Sequence, residues 1–215
     1  MSTTSGILAV DIGGTKLAAA VVTAQGEIIR RDRVATPARA PWATLSALIK
    51  RIQAAASDID LVACGVACGG PMKIGGTEVS PLHIPTWIDF PLLTSISELT
   101  GLKTYIDNDA KALALAEGWK GAARDCANFM AVVIGTGVGG GLVENNRLAV
   151  GRSGNAGHFG HIVVGSGMSG LDNRSCRCGG RGCLEAYVSG PAVERETGRD
   201  PMYAPMNLKV RNGIL

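Results

Sequence analysis

The chain opens on a short apolar run, ILAV at 7–10, then DIGGTK at 11–16, then a second run, LAAAVVT at 17–23. Two such runs joined by a Gly-Gly turn predict a β-hairpin. A turn at Gln25-Gly26 leads into EIIRRDRVAT, whose alternation predicts a third strand. From 41 to 56 the period changes: Trp42, Leu45, Leu48, Ile49, Ile52 and Ala55–Ala56 recur at helical spacing, with Pro41 tolerated in the first turn. LVACGVACGGP at 61–71 is a buried-strand run ending in a Gly-Gly-Pro loop. Residues 92–100 suit a helix, KTYID at 103–107 a strand, and DAKALALAE at 109–117 a strong helix with Gly118 as its stop.

Three meandering strands followed by helix, strand, helix, strand predict a mixed α/β sheet covered by helices. A second unit begins with strand FMAVVIG at 129–135, a Gly-rich loop, strand GLVE, a turn at Asn145-Asn146 and strand RLAV. The expectation is two α/β lobes, 1–115 and 116–215. The second has too few helices to cover both faces of its sheet, and 198–215 has no sustained period. A chain cut short, with the second lobe incomplete, accounts for both.

Composition narrows the class. Apolar types make up 46% and charged types 18%, which is not a disordered chain. A net charge of +3 gives no argument for nucleic acid or an anionic membrane. No run approaches the ~20 apolar residues of a membrane span, and MSTTSG does not open a secretion signal. A cytoplasmic protein is expected. Glycine is in excess, 30 of 215 residues against a usual share of about 7%. Three of the six cysteines fall between 176 and 183, a clustering that favours a metal over disulfides. Cys64, Cys68 and Cys126 lie in or beside apolar stretches and read as small core residues.

Four constellations carry chemistry. In DIGGTK, Gly13 and Gly14 let backbone N–H groups approach an anion, Thr15 and Lys16 add a hydroxyl and a cation, and Asp11 can hold a metal ion against phosphate. An ordinary hairpin turn is the competing explanation. GTGVGGG at 135–141 again joins two strands, through Gly135, Thr136, Gly137 and Gly139. Its five glycines in seven residues are explained by backbone approach to a phosphate, and it is neither a Walker-A loop nor a dinucleotide fingerprint. Two such loops predict a nucleotide's phosphates pinched between lobes.

The third is Asp107-Asn108-Asp109, between a strand and a helix. A helix N-cap explains one of the three but not the cluster. A carboxylate here can orient an attacking hydroxyl in phosphoryl transfer, whose loose transition state takes the proton late. The fourth is His161 with Cys176, Cys178 and Cys183 in HIVVG…CRCGGRGC. Three thiolates on a glycine-bent loop and a histidine fifteen residues earlier make the Cys3His shell of structural zinc. Free thiols are the plainer alternative, and His158 competes for the fourth position.

With these four in this order, the sequence resembles the ROK family of bacterial sugar kinases, repressors and open-reading-frame proteins, from about Ile7 to Gly190. The resemblance is carried by DIGGTK, Asn108-Asp109 with its Ala-rich helix and Glu117, GTGVGGG, and CRCGGRGCLEAY. It implies an actin-like (ribonuclease H-like) two-lobed ATPase fold, and ATP-dependent phosphorylation of a hexose or N-acyl hexosamine at its terminal hydroxyl, with Mg2+. It implies Asp109 as base, Asn108 and Glu185 as sugar partners, Gly70 as a sugar-contacting backbone, and His161 as both zinc ligand and sugar neighbour. A homodimer is expected by resemblance only. The family's usual Glu-x-Gly-His reads His158-Phe159-Gly160-His161 here, as it does in some bacterial N-acetylmannosamine kinases. The usual Ser-Pro-Asn reads Ser80-Pro81-Leu82-His83, so His83 takes the place of the Asn or is an exposed loop histidine. Family members also continue well past residue 215, with segments that cover the adenosine. With six residues before Ile7, the winged helix of the family's repressors is not expected. A silent sugar-binding protein remains the second reading.

Overall fold

The computed structural model describes residues 5–165 and 172–201. The first strands follow the predicted alternation. In β1 (Ser5–Ile12) Leu8, Val10 and Ile12 are buried while Ile7, Ala9 and Asp11 face the other way. β2 (Lys16–Val22) pairs antiparallel with β1, and β3 (Ile28–Ala35) pairs antiparallel with β2. The chain then crosses over through α1 (Pro41–Ala55) to β4 (Asp60–Cys68), parallel to β1, and through α2 (Leu92–Thr100) to β5 (Thr104–Asn108), parallel to β4. Parallel neighbours require such crossovers. The sheet order is β3-β2-β1-β4-β5.

Helices α1 and α2 cover one face only. Leu45, Leu48, Ile49 and Ile52 of α1 and Leu92 and Ile96 of α2 join Leu8, Val10, Ile12 and Leu17 in a single core. On the opposite face Ala9, Ala18, Ala20, Gly65 and Ala67 line an open trough of about 1090 Å³, bordered by Ile28, Tyr105 and Leu115.

The second sheet has the order β6-β7-β8, all antiparallel: β6 (Phe129–Ile134), β7 (Val138–Glu144) and β8 (Arg147–Leu148). Helix α3 (Asp109–Lys120) leaves the end of β5 and packs on β6 and β7, so it runs unbroken through residue 115 and joins the two sheets. It also runs through the expected stop at Gly118 and is capped by Gly121 instead. Gly118 is needed for clearance, since a Cβ there would lie 2.9 Å from Phe129 Cζ.

The glycines of GTGVGGG need a different account from the one the sequence invites. Gly139, Gly140 and Gly141 are strand residues of β7, not loop. A Cβ on Gly139 would meet Ala110 Cβ at 2.9 Å, and one on Gly141 would meet Ala114 Cβ at 2.5 Å. One on Gly140 would press on the Ala131 carbonyl and Phe159 on the other face. They let α3 and Phe159 seat directly on the strand backbone. The opposite reach of β6 stays bare: Met130, Val132, Val133 and Ile134 are exposed. Among the described residues after β8 most are irregular, with the short α4 (Glu185–Val188) and α5 (Gly190–Thr197) following. Residues 202–215, most of the aperiodic end, lie outside the described residues. No described helix is long and apolar enough to cross a membrane.

Candidate active site

Where α3 begins, a cleft of about 270 Å³ opens between the two sheets. It is lined by Gly14, Gly69, Gly70, His83, Asn108, Asp109, Gly135, Thr136, Gly137, His158, His161 and Glu185, among others. Most of the predicted site residues therefore meet in one place. The structure divides the DIGGTK residues, however. Gly14 lines the cleft beneath His83, whose Cβ lies where a Cβ on Gly14 would intrude. Asp11 and Lys16 border the trough on the open sheet face. Burial raises the Asp11 carboxyl above its ordinary value; Lys16 pulls it back and the nearby Asp109 charge adds to the rise.

All three members of Asp107-Asn108-Asp109 accept backbone N–H groups at the head of α3. Asp107 Oδ1 accepts from Asn108 N at 2.8 Å, and Asp109 Oδ1 accepts from Ala110 N at 2.8 Å. Asn108 is the N-cap, its Oδ1 accepting from Ala110 N at 3.0 Å and Lys111 N at 3.3 Å. Its oxygen is thereby occupied, leaving Nδ2 on the side of Gly70. Asp109 is exposed to the cleft.

The two turns offer backbone donors in similar fashion. Gly13 N–H is taken by the Lys16 carbonyl at 3.0 Å, while the N–H groups of Gly14 and Thr15 donate to no described acceptor. In the second turn Val138 N–H donates to Glu185 Oε2 at 2.9 Å, and those of Thr136 and Gly137 donate to none described. Each turn thus presents two adjacent unpaired N–H groups, the minimum of an anion-binding nest. Gly135 and Gly137 border this nest; Gly139 also lines the cleft, and a Cβ on it would meet Ala110 of α3.

The thiol cluster assembles as the spacing predicts. The donor atoms of His161, Cys176, Cys178 and Cys183 all lie within 4.8 Å of one another. Cys176 Sγ is 3.7 Å from His161 Nδ1, and Cys178 Sγ is 3.8 Å from Cys183 Sγ. A tetrahedral zinc with bonds of about 2.0–2.3 Å places its donors roughly 3.5–3.8 Å apart, so this set fits the ion. The Gly180 N–H lowers the Cys178 thiol below its ordinary value. His158, the competitor, is outside the cluster. Its ring stacks at 6.1 Å from that of His161, and its Nε2 is buried without a hydrogen-bond partner among the described residues. Burial first, then His161 and Lys111, hold its pKa below the ordinary 6.5, so it is neutral at neutral pH.

A profile of the ROK family matches residues 7–212. The chain belongs to the ROK family. It is 38% identical over 193 residues to an N-acetylmannosamine kinase of Yersinia pseudotuberculosis, covering 88% of this chain and 63% of that protein. A ROK family glucokinase from Streptomyces griseus, solved with glucose and AMPPNP, is 36% identical with a TM-score of 0.76, over 89% of this chain and 59% of that one. The ROK hexokinase of Thermus thermophilus is 32% identical with a TM-score of 0.75, over 89% and 62%. The chain therefore spans about three fifths of these relatives' length, and its α/β architecture is part of their actin-like ATPase fold.

One ROK-chain residue that sequence reasoning passed over is Lys111. It is 1% exposed, and its Nζ donates to the Gly154 carbonyl at 2.6 Å and to Asp107 Oδ1 at 3.1 Å. It ties the head of α3 to the loop that leads into His158. Asn155 adds a second tie, accepting the Met72 N–H at 3.2 Å and donating to the Met72 carbonyl at 3.0 Å. The i,i+4 spacing from Asp107 was the available signal for the lysine. Nothing local marks Asn155.

Proposed function

We propose that this chain is the sugar- and phosphate-binding portion of an ATP-dependent kinase that phosphorylates a hexose or N-acyl hexosamine at its 6-hydroxyl. The observation that carries the reading is the convergence, in one cleft, of Asp109, two turns with unpaired N–H groups, and the polar group Asn108, His158, His161 and Glu185. N-acetylmannosamine is the first sugar to test, because the 38% identical relative bears that name and His158 stands where the family usually has glutamate.

In the proposed reaction Asp109 orients the 6-hydroxyl and accepts its proton as the sugar oxygen bonds to the γ-phosphorus. The bond to the β,γ-bridging oxygen breaks and ADP leaves. The N–H groups of Gly14, Thr15, Thr136 and Gly137 face the phosphate oxygens, with Lys16 as a cation and Asp11 as the carboxylate for Mg2+. Asn108 Nδ2, neutral His158, Glu185, the Gly70 backbone and His83 surround the sugar. His161 and the three cysteines would hold a structural zinc, which fixes their loop and the His161 ring and takes no part in phosphoryl transfer. Lobes at 1–115 and 116–215, a cytoplasmic location, a homodimer, and no nucleic-acid or membrane partner belong to the same proposal.

The test is a coupled assay with ATP and a panel of hexoses and N-acyl hexosamines. Asp109→Asn is expected to lose at least 100-fold in turnover while sugar binding is kept, the usual weight of a general base being about 10²–10⁴. Sugar binding without turnover, in the chain extended to its relatives' length, would refute the kinase and leave the silent binding protein.

A further inference from the structure

The segment Glu185–Gly190 grips the 135–138 turn at both ends. Glu185 Oε2 accepts the Val138 N–H at 2.9 Å, and the Gly190 N–H donates to the Gly135 carbonyl at 2.7 Å. The fit leaves no slack: a Cβ on Gly137 would lie 2.7 Å from Glu185 Oε2, and one on Gly190 3.1 Å from the Gly135 oxygen. Between the grips sit Thr136 and Gly137, whose N–H groups point to no described acceptor. Glu185 also lines the cleft beside His158 and His161. Its other oxygen, Oε1, makes no hydrogen bond to a described residue. One carboxylate therefore serves two places.

We propose that Glu185 couples the sugar pocket to the phosphate turn, so that each ligand raises the protein's affinity for the other. This rests on the kinase reading but adds to it: there Glu185 is a sugar contact, here it is also a positioning residue for backbone donors. The physical basis is shared ordering. The Val138 N–H holds the carboxylate in one rotamer, and a sugar hydroxyl donating to Oε1 holds it in the same one. The side chain and the turn are then ordered once for both ligands, and the coupling is reciprocal by linkage.

The experiment is calorimetric titration of the chain, extended to its relatives' length, with Mg-AMPPNP, with and without saturating N-acetylmannosamine, for wild type, Glu185→Ala and Glu185→Gln. In wild type the sugar is expected to tighten AMPPNP by about fivefold or more, the lower end of ordinary allosteric coupling. Glu185→Ala binds AMPPNP more weakly alone, and the enhancement falls to within about twofold of none. Glu185→Gln keeps an oxygen for the Val138 N–H and retains most of the nucleotide affinity. Amide exchange in the ligand-free protein reads the grip by itself. Val138 is expected to exchange at least about tenfold faster in Glu185→Ala and near wild type in Glu185→Gln, with Leu142 and Val143 unchanged as a check on the fold. Enhancement that survives Glu185→Ala, or Val138 exchange that does not change, overturns the coupling and leaves the kinase reading standing. A wild-type chain that binds neither ligand overturns both.

Discussion

Replacing Lys111 by methionine removes an ammonium that is 1% exposed while keeping most of its volume. Two groups lose a donor. The Gly154 carbonyl, bonded at 2.6 Å, is left without a described partner, and an orphaned buried acceptor costs about 1–3 kcal/mol. Asp107, bonded at 3.1 Å, loses its counter-charge; breaking a buried pair from one side costs about 3–5 kcal/mol. That second figure is an upper bound here. Asp107 is 36% exposed and still accepts the Asn108 N–H at 2.8 Å, so water and backbone meet much of its need. Methionine also removes the cost of burying the ammonium. Together these place the loss at about 2–3 kcal/mol, within the roughly 5–15 kcal/mol of a typical domain, so Lys111→Met folds. At about 2–4 °C per kcal/mol for a chain of this length, the midpoint falls by roughly 4–12 °C. Urea denaturation gives the free energy, with an unchanged m-value as the check that the same surface unfolds. Sugar affinity should fall as well, because the tethered loop leads into His158. A variant melting within about 1 °C of wild type would show that the tether carries no weight and refute the reasoning.

Gly140→Ala and Gly135→Ala form a matched pair. At Gly140 a Cβ would press on the Ala131 carbonyl and on Phe159 at 2.7 Å, so thermal melting should show a loss of at least about 2 kcal/mol. At Gly135 a Cβ meets nothing within 4 Å, so stability should change by less than about 0.5 kcal/mol while AMPPNP binding weakens; equal melting losses would contradict the packing account. The pH dependence of sugar binding tests His158. Its folded-state pKa lies below the 6.5 of a free imidazole, so affinity should hold from pH 8 down through 6.5 and fall only below it. The unfolded chain takes up this proton first as pH drops through 6.5, so His158 also withdraws stability below that pH and withdraws none above it. A fall in affinity centred at or above 6.5, or one that persists in His158→Asn, removes His158 from the explanation. Elemental analysis of purified protein should find about one zinc per chain, and Cys178→Ser should lower both metal content and sugar affinity; unchanged affinity would separate the metal loop from the sugar pocket.

The strands and helices α1 to α3 were legible from period alone because each is locally self-consistent, whereas α4 and α5 were not foreseen. β1 alternates strictly, α1 repeats at helical spacing, and the Cys-x-Cys-Gly-x-x-Gly-Cys loop needs only a nearby histidine to close a tetrahedron. Residue chemistry at element ends also survived translation into space: Asn108 caps α3, and Asp109 beside it faces the cleft. Three matters were not legible, each for the same reason. Gly139 and Gly141 look like phosphate-loop glycines, but what meets their missing side chains is α3, some thirty residues earlier. Gly118 looks like a helix stop, and only the approach of Phe129 explains why a glycine continues the helix. His161 was the expected partner of the cysteines, but the exclusion of its competitor His158, one turn earlier, appears only in the assembled cluster.

Sequence by itself determined the strands, helices α1 to α3, the two glycine turns and the cysteine loop, since these follow from neighbours within a few positions. Tertiary structure alone decided which glycines clear a helix and which leave N–H groups free, and that a lysine one turn into α3 is buried against Gly154. It alone brought Glu185 to the Val138 amide across forty-seven positions. Such contacts join segments far apart in the chain, and their energies depend on burial and angle, which no local pattern of residues encodes.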